Sequence, residues 1–153
     1  MIDIDIKQIL HEVKNITCCN QDRDKTLLEI SSFLKNNVFH YDWVGFYFLN
    51  ETQDGLILGP YTGSHTDHVS IPIGKGICGQ VAQNKETMIV QDVTQVENYL
   101  SCSINVQSEI VVPILKNGVF VAELDIDSHS PAPFSEKDKL LLEEICAEIS
   151  TFF

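Results

Sequence analysis

Apolar residues recur every three or four positions near both ends of the chain, and this spacing is typical of amphipathic helices. It predicts a first helix over 3–16 and a second helix over 25–36. Near the C terminus, Ser135 and Asp138 form a capping-box pattern, which indicates the start of a last helix. The apolar stripe of that helix is predicted to consist of Leu142, Ile145, Ile149 and Phe152.

Between these helices the pattern changes to a period of two, which indicates β-strands. Most of the strands are joined by hairpins or short links, and one helix is predicted over 74–84. The predicted strands cover 41–49, 56–61, 69–73, 87–90 and the two runs that flank Lys116-Asn117-Gly118. This order predicts an α+β fold, with a largely antiparallel central sheet of about five or six strands and with the N- and C-terminal helices packed on one face.

The length of 153 residues favours one domain with a single core. We expect residues 1–153 to form that domain. Its parts are predicted as N-terminal helices over 1–37, the sheet and a pocket over 38–134, and the C-terminal helix over 135–153.

The two faces of the first predicted strand differ in character. Trp43, Gly45 and Tyr47 share one face, whereas the opposite face carries the core residues Val44, Phe46 and Phe48. Two aromatic rings with a glycine between them are suited to wall a small pocket. Ordinary aromatic packing on a sheet explains the same residues equally well.

Two apolar runs around Lys116-Asn117-Gly118 predict a β-hairpin. A two-residue turn would place Glu109 opposite Ile126, and a three-residue loop would place Glu109 opposite Asp125. We predict the three-residue loop, because it gives one apolar and one acidic face. The apolar face would carry Ile110, Val112, Ile114, Phe120, Ala122, Leu124 and Ile126, and the acidic face would carry Glu109, Glu123, Asp125 and Asp127. These acids then form either the solvated outer face of a half-buried sheet or a functional cluster of carboxylates beside the cysteine-containing loop.

A glycine-rich turn, G-K-G-I-C-G over 74–79, opens the helix in the middle of the chain. It matches the dinucleotide-binding fingerprint only weakly, because it lies in mid-chain and no acid follows about 20 residues later at a strand end. Cys78 falls in the first turn of this helix, where the helix dipole favours a thiolate.

The other cysteines differ in their surroundings. Cys102 lies in a polar loop over 92–108, and loops this long are usually lids or binding loops. Cys18 and Cys19 are adjacent and are expected to be buried or to cap a helix, because a vicinal disulfide is strained. No C-x-x-C pair is present among the five cysteines, so a structural zinc site is not expected. Metal binding by Glu109, Asp125 and Asp127 is the least favoured interpretation.

The net charge of −12 argues against nucleic acid or an anionic membrane as the main partner. The sequence begins without a basic and apolar leader, and it contains no apolar run long enough to span a bilayer. We therefore expect a cytoplasmic protein whose cysteines are reduced. No cofactor is expected.

Five motifs resemble one known family. They are D-W-V-G-F-Y at 42–47, L-G-P-Y at 58–61, I-P-I-G-K-G-I-C-G at 71–79, a cysteine at 102 followed by S-E-I-V-V-P at 108–113, and L-D-I-D-S at 124–128. Together they resemble the GAF-domain free methionine-(R)-sulfoxide reductases. The resemblance implies a GAF-like fold and thiol-dependent reduction of free L-methionine (R)-sulfoxide. The alternative is a GAF module that binds a ligand or senses redox state without turnover.

The resemblance also implies roles for individual residues. Cys102 matches the catalytic cysteine, which becomes a sulfenic acid, and Cys78 matches a cysteine that resolves it as a disulfide for reduction by thioredoxin. Carboxylates that would bind the substrate ammonium and protonate the sulfoxide oxygen correspond to Glu109, Asp125 and Asp127. Aromatic residues that would shelter the substrate methyl group correspond to Trp43 and Tyr47. The family often forms dimers through its helices, so a homodimer is possible.

Two positions depart from the family pattern. Family members commonly have a second cysteine where this chain has Asp67 or His68, so resolution would depend on Cys78 alone or on an external thiol. The loop around Cys102 reads Y-L-S-C-S, whereas the family pattern is closer to H-I-A-C-D.

Overall fold

The structure is a computed structural model that describes residues 5–97, 99 and 105–153. Within these residues, six strands form one sheet in which every neighbouring pair is antiparallel. The strands are β1 (Trp43–Leu49), β2 (Gly55–Thr62), β3 (Ser70–Pro72), β4 (Met88–Val90), β5 (Ser108–Lys116) and β6 (Val119–Ser128). Their order across the sheet is β3-β2-β1-β6-β5-β4. The helices are α1 (Ile6–Cys19), α2 (Arg23–Asn37), α3 (Gly76–Asn84) and α4 (Glu136–Ile149), with 3-10 turns at Val93–Gln95 and Ser150–Phe152. The predicted α+β fold is confirmed.

Side-chain caps explain where the terminal helices begin. The carboxylates of Asp5 and Asp22 accept hydrogen bonds from backbone N–H groups in the first turns of α1 and α2, at 3.2 Å and 2.9 Å. Ser135 and Asp138 form the predicted capping box at the start of α4. All three helices contribute apolar side chains to one core with β1, β5 and β6. The predicted packing of the terminal helices on one face of the sheet is therefore confirmed.

The end of α1 differs from the sequence prediction. The helix continues to Cys19 rather than ending near residue 16, and Cys18 and Cys19 lie exposed in its last turn. The expectation that these cysteines are buried or cap a helix is wrong. The backbone stays helical through both cysteines, so they complete the last turn and point to the surface.

The two faces of the sheet have separate cores. Val44 and Phe46 of β1 are buried against the helices α1, α2 and α4, as predicted. Trp43 and Tyr47 lie on the opposite face, in a second cluster that includes Ile77, Cys78, Val81 and Ala82 of α3. Helix α3 therefore covers the face of the sheet that the terminal helices leave open.

The β5–β6 hairpin has a different register from the one predicted. Lys116 pairs with Val119, and Asn117 and Gly118 have φ angles of 53° and 79°, so the turn has two residues and positive φ at both. A bulge then shifts the register between Ile114 and Leu115. The predicted three-residue loop is wrong, since Asn117-Gly118 provides the left-handed backbone that a two-residue turn needs.

The bulge determines which side chains share a face. It adds one residue to β6, so Glu109 lies opposite Asp127, and Asp125 lies opposite Val111. Glu109 and Asp125 are not cross-strand partners, but the added residue keeps both of them on the same face. Phe120 lies between the turn and the bulge, and its side chain packs in the cluster with α3. The prediction that Phe120 shares the apolar face of the hairpin with Ile110 and Leu124 is therefore also wrong.

A buried hydrogen-bond network joins the residues just before β1 to the start of α4. Asp138 Oδ1 lies 2.8 Å from the Tyr41 hydroxyl and 2.7 Å from His40 Nε2, while Asp138 Oδ2 accepts from the backbone N–H of Ser135 at 2.7 Å. Burial alone would raise the pKa of Asp138, but hydrogen bonds from His40, Ser135 and Tyr41 hold the pKa below its ordinary value. The network therefore stabilises the charged carboxylate.

We expect Asp138→Asn to lower the free energy of unfolding by about 2 kcal/mol at pH 7, because charge-assisted hydrogen bonds are lost in a buried site. The folded-state pKa is depressed, so the contribution is present above the unfolded pKa of about 4 and is lost as pH falls through the folded value. Urea unfolding at pH 7 and pH 3 measures both effects. Asp67→Asn, at an exposed position, is the control. Equal stability of the two variants at pH 7 would contradict the prediction.

Candidate active site

Four carboxyl side chains share the sheet face that α3 covers. Glu109 lies on β5, and Glu123, Asp125 and Asp127 lie at alternate positions of β6. All four residues are buried, with exposed fractions of 3% for Glu109 and 0% for the other three. The acidic face predicted from the sequence is thus observed, but it is enclosed rather than solvated. Buried carboxyls are costly unless they are paired, so such a cluster indicates a function.

The aromatic residues of β1 lie directly beside this acidic face. In the β1–β6 register, Trp43 pairs with Asp127 and Gly45 pairs with Asp125. The Trp43 ring covers Gly45, where a Cβ atom would lie 2.3 Å from the ring, so only glycine fits beneath it. The indole stacks on Tyr61 at a centroid distance of 5.2 Å and donates to the Ser64 carbonyl at 3.0 Å. The indole is therefore held in place on the second face of the sheet.

Tyr47 is the second aromatic residue of this face. It is fully buried, and its hydroxyl donates to the His68 carbonyl at 2.9 Å. The ring lies 6.5 Å from the Trp43 ring in a stacked arrangement, and its strand position is paired with Glu123. The two rings predicted to wall a pocket therefore lie side by side next to the carboxyl cluster.

Close backbone packing brings α3 over the acids. The N–H of Gly74 donates to the carbonyl of Gly79 at 2.9 Å, and Gly79 lies so near β3 that a Cβ atom would be 2.6 Å from the Pro72 carbonyl oxygen. The glycines therefore allow a tight approach of helix and strand. As a result, the Cys78 thiol lies within reach of Glu109, with the sulfur 3.8 Å from Oε1.

The chemistry of Cys78 differs from the sequence prediction. Burial raises the pKa of the Cys78 thiol well above its ordinary value, and the charges of Asp125, Glu123 and Glu109 raise it further. The expectation that the helix dipole makes Cys78 a thiolate is wrong in this structure. The dipole supplies only a partial positive charge, and burial beside three carboxyls outweighs it.

The acids also have unusual proton affinities. Burial raises the pKa of Glu109 and Glu123 well above the ordinary value, and Asp125 and Asp127 raise the pKa of Glu109 further. Burial raises the pKa of Asp125 to about 6, although neighbouring Glu109 and Cys78 counteract part of the effect. No described lysine, arginine or histidine forms an ion pair with Glu109, Glu123 or Asp125. The cluster therefore favours protonated carboxyls and would gain from a bound cation.

A small cavity opens at the centre of this arrangement. Its volume is about 10 Å³, which is enough for roughly one water molecule. Its walls are His68, Ile71, Lys75, Gly76, Ile77, Cys78, Glu109 and Asp125. A ligand the size of an amino acid would require the surrounding side chains to move apart.

The structure brings most of the predicted site residues together. Cys78, Glu109 and Asp125 line one cavity, and Asp127 lies opposite Glu109 in the hairpin. Trp43 and Tyr47 flank the cluster on β1 without lining the cavity. Cys102 lies outside the described residues.

Sequence reasoning missed two residues at this site. Glu123 was placed on the acidic face but not in the site, although its alternation with Asp125 was a usable signal. Tyr61 stacks on Trp43 from β2, and nothing in the local sequence pattern indicated this contact.

Comparison with known proteins assigns the chain to a class of domain. The family model described as "GAF domain" matches residues 22–152, which is most of the chain. The six-stranded antiparallel sheet of the described residues, with helices on both faces, agrees with that match.

Individual relatives narrow the class. The free methionine-R-sulfoxide reductase of Escherichia coli is 32% identical over 124 residues, covering 81% of this chain and 73% of the relative. The structure of the Neisseria meningitidis free methionine-R-sulfoxide reductase in complex with its substrate superposes with a TM-score of 0.91 and 32% identity, covering 97% of this chain and 87% of that one. The structure of the type II free methionine-R-sulfoxide reductase from Thermoplasma acidophilum superposes with a TM-score of 0.82 and 35% sequence identity, covering 85% of this chain and 91% of that one. The chain belongs to the GAF-domain free methionine-R-sulfoxide reductase family.

In the described part of the chain, no helix is both long enough and apolar enough to cross a bilayer.

Proposed function

We propose that this chain is an oxidoreductase that reduces free L-methionine (R)-sulfoxide to L-methionine with its own thiols. Family membership supports the reaction class. The observation that carries the proposal is the buried cluster of Glu109, Asp125 and Cys78 around one cavity. An amino acid ammonium would supply the positive charge that these carboxyls lack, and only a free amino acid has that group.

The proposed first step is attack of the Cys102 thiolate on the sulfoxide sulfur. This attack forms a transient sulfur–sulfur bond. The protonated oxygen then moves to the Cys102 sulfur, the S–O bond and the sulfur–sulfur bond of the substrate sulfur break, and methionine leaves while Cys102 becomes a sulfenic acid. A carboxyl of the cluster donates the proton that the departing oxygen requires. Four buried carboxyls this close to one another cannot all carry a charge, so the site retains a proton donor.

The proposed second step uses Cys78. Its sulfur attacks the Cys102 sulfenic sulfur, the oxygen leaves as water, and a disulfide forms. Because the Cys78 thiol is held in its protonated form, the carboxylate that gave up its proton in the first step takes the thiol proton and passes it to the leaving hydroxyl. Glu109, whose Oε1 lies 3.8 Å from the Cys78 sulfur, is placed to do so. Thioredoxin then reduces the disulfide. The predicted cytoplasmic location and homodimer remain predictions.

A coupled assay tests the function. The protein, thioredoxin, thioredoxin reductase and NADPH are mixed with free methionine (R)-sulfoxide, with the free (S) isomer, or with N-acetylmethionine (R)-sulfoxide. We expect NADPH consumption with the free (R) isomer only, because the acetyl group removes the ammonium. Absence of turnover with the free (R) isomer would overturn the proposal and favour a regulatory GAF module. Dithiothreitol in a parallel arm separates a failure of thioredoxin from a failure of the reaction.

A further inference from the structure

The Cys78 sulfur and one oxygen each from Glu109 and Asp125 all lie within 4.8 Å of one another. We propose that these three groups form a binding site for a thiophilic divalent cation such as Zn²⁺. The sequence did not indicate this donor set, because its candidate metal site used the hairpin acids alone. In the structure the sulfur of α3 joins two of those acids.

The distance between the Cys78 sulfur and Glu109 is close to that of tetrahedral zinc coordination, and the Asp125 oxygen lies within 4.8 Å of both. Zinc binds sulfur at about 2.3 Å and carboxylate oxygen at about 2.1 Å, so the two ligand atoms lie about 3.6 Å apart in a tetrahedral site. The Cys78 sulfur lies 3.8 Å from Glu109 Oε1. A shift of a few tenths of an ångström therefore suffices for this pair. The cavity beside these ligands holds about 10 Å³, so the ion would take the place of the single water that fits there, and a fourth ligand would require neighbouring side chains to move apart.

Several buried carboxyl oxygens at this site lack a hydrogen-bond or ion-pair partner among the described residues, and a bound cation would provide one. Asp125 is fully buried and lines the cavity. Its carboxyl oxygens make no hydrogen bond of ordinary length to any described residue, although Glu109 and Cys78 lie close enough to lower its pKa. Both oxygens of buried Glu123, two residues away, are likewise without a partner in the described part of the chain. Lys75 lines the cavity but forms no ion pair with these acids among the described residues. A divalent ion would displace the protons that these buried groups hold, and it would supply the positive charge that the site lacks.

The donor set selects the kind of metal. Magnesium and calcium require oxygen ligands, whereas a thiolate with carboxylates suits zinc and its spectroscopic substitute Co²⁺. Three protein ligands with an open fourth position are also usual in zinc sites that exchange a small ligand. We therefore expect Zn²⁺ and Co²⁺ to bind, and Mg²⁺ not to compete.

Zinc at this position would have a consequence for the proposed function. It would share Glu109 and Asp125 with the substrate ammonium, and it would hold the Cys78 sulfur that the second step needs. Zinc would then act as a reversible inhibitor that competes with the sulfoxide. This consequence depends on the proposed function, but metal binding itself does not.

Co²⁺ titration of the reduced, metal-free full-length chain tests the site. A thiolate bound to Co²⁺ gives a near-ultraviolet charge-transfer absorption, which we expect to saturate at about one ion per chain and to disappear when Zn²⁺ is added. The exposed thiols are removed in a Cys18→Ser/Cys19→Ser background, which is expected to keep the absorption. Cys78→Ser is expected to lose the absorption. Cys146→Ser is expected to keep it, because Cys146 lies in the separate core that the sheet forms with α1, α2 and α4.

Two further readouts complete the test, with circular dichroism showing that each variant is folded. Asp125→Asn is expected to weaken Zn²⁺ binding at least tenfold in calorimetry, and Mg²⁺ is expected to leave the Co²⁺ absorption unchanged. An absorption that persists in folded Cys78→Ser, or that is absent from the parent chain, would overturn the proposal. If metal binding is found without sulfoxide turnover, the metal site stands and the proposed function falls.

Discussion

Cys102→Ser is expected to reduce turnover of free methionine (R)-sulfoxide to background, a loss of about a thousandfold or more. A serine hydroxyl cannot form the sulfenic acid that accepts the sulfoxide oxygen, so the first chemical step is lost. The steady-state rate of NADPH consumption measures the effect. Cys146→Ser is the matched control, because its sulfur lies in the helix-side core, where it donates to the Val112 carbonyl at 3.9 Å, and a hydroxyl can make the same contact.

The outcome distinguishes Cys102 from the other thiols. If Cys102→Ser retains the rate of the parent chain while a different cysteine variant loses it, the assignment of the catalytic thiol is wrong. If Cys146→Ser loses activity to the same degree, general damage to the fold explains the losses.

Asp125→Asn is expected to lower kcat/KM by about a hundredfold. Removal of one partner of a buried charge pair costs about 2–5 kcal/mol, and each 1.4 kcal/mol is about a tenfold change. Asp125 lines the cavity without an ion pair to any described basic residue, so the substrate ammonium is its expected partner. Steady-state kinetics with free methionine (R)-sulfoxide measures the change.

Glu123→Gln is the matched control for Asp125→Asn. Glu123 is buried on the same strand face but does not line the cavity, so we expect a loss of less than tenfold in kcat/KM. Both substitutions remove a buried carboxyl that lacks an ion pair, and neither is expected to lower the free energy of unfolding. Equal losses of activity in the two variants would contradict the specific role of Asp125.

The hairpin shows how far the sequence pattern could predict the fold. The alternation of apolar and acidic residues correctly separated the two faces at Glu109 and Asp125. The loop length was wrong, because Asn117-Gly118 by itself supplies the two positive φ angles of a two-residue turn. The bulge that restores the shared face has no local signature in the sequence, since packing on both faces of the sheet determines it.

The sequence predicted that Cys78, Glu109 and Asp125 belong to one site, and the structure places them around one cavity, but the sequence did not predict their electrostatics. The position of Cys78 in the first turn of α3 was correct, yet its surroundings depend on strands about 30 and 45 residues later in the chain. Contact between α3 and the acids of β5 and β6 is a tertiary property, so the helix position alone predicted the wrong direction for the pKa of Cys78. The same contact produced the sulfur and carboxylate donor set, which no spacing of residues in the sequence indicated.

A single-turnover experiment without external reductant tests the central claim most directly, because it measures whether the thiols of this chain reduce the sulfoxide. The reduced protein is mixed with excess free methionine (R)-sulfoxide, and methionine and remaining thiols are counted after quenching. We predict about one methionine per chain, with the loss of about two thiols, and methionine formation without disulfide formation in Cys78→Ser. No methionine from the folded, reduced protein would contradict the account.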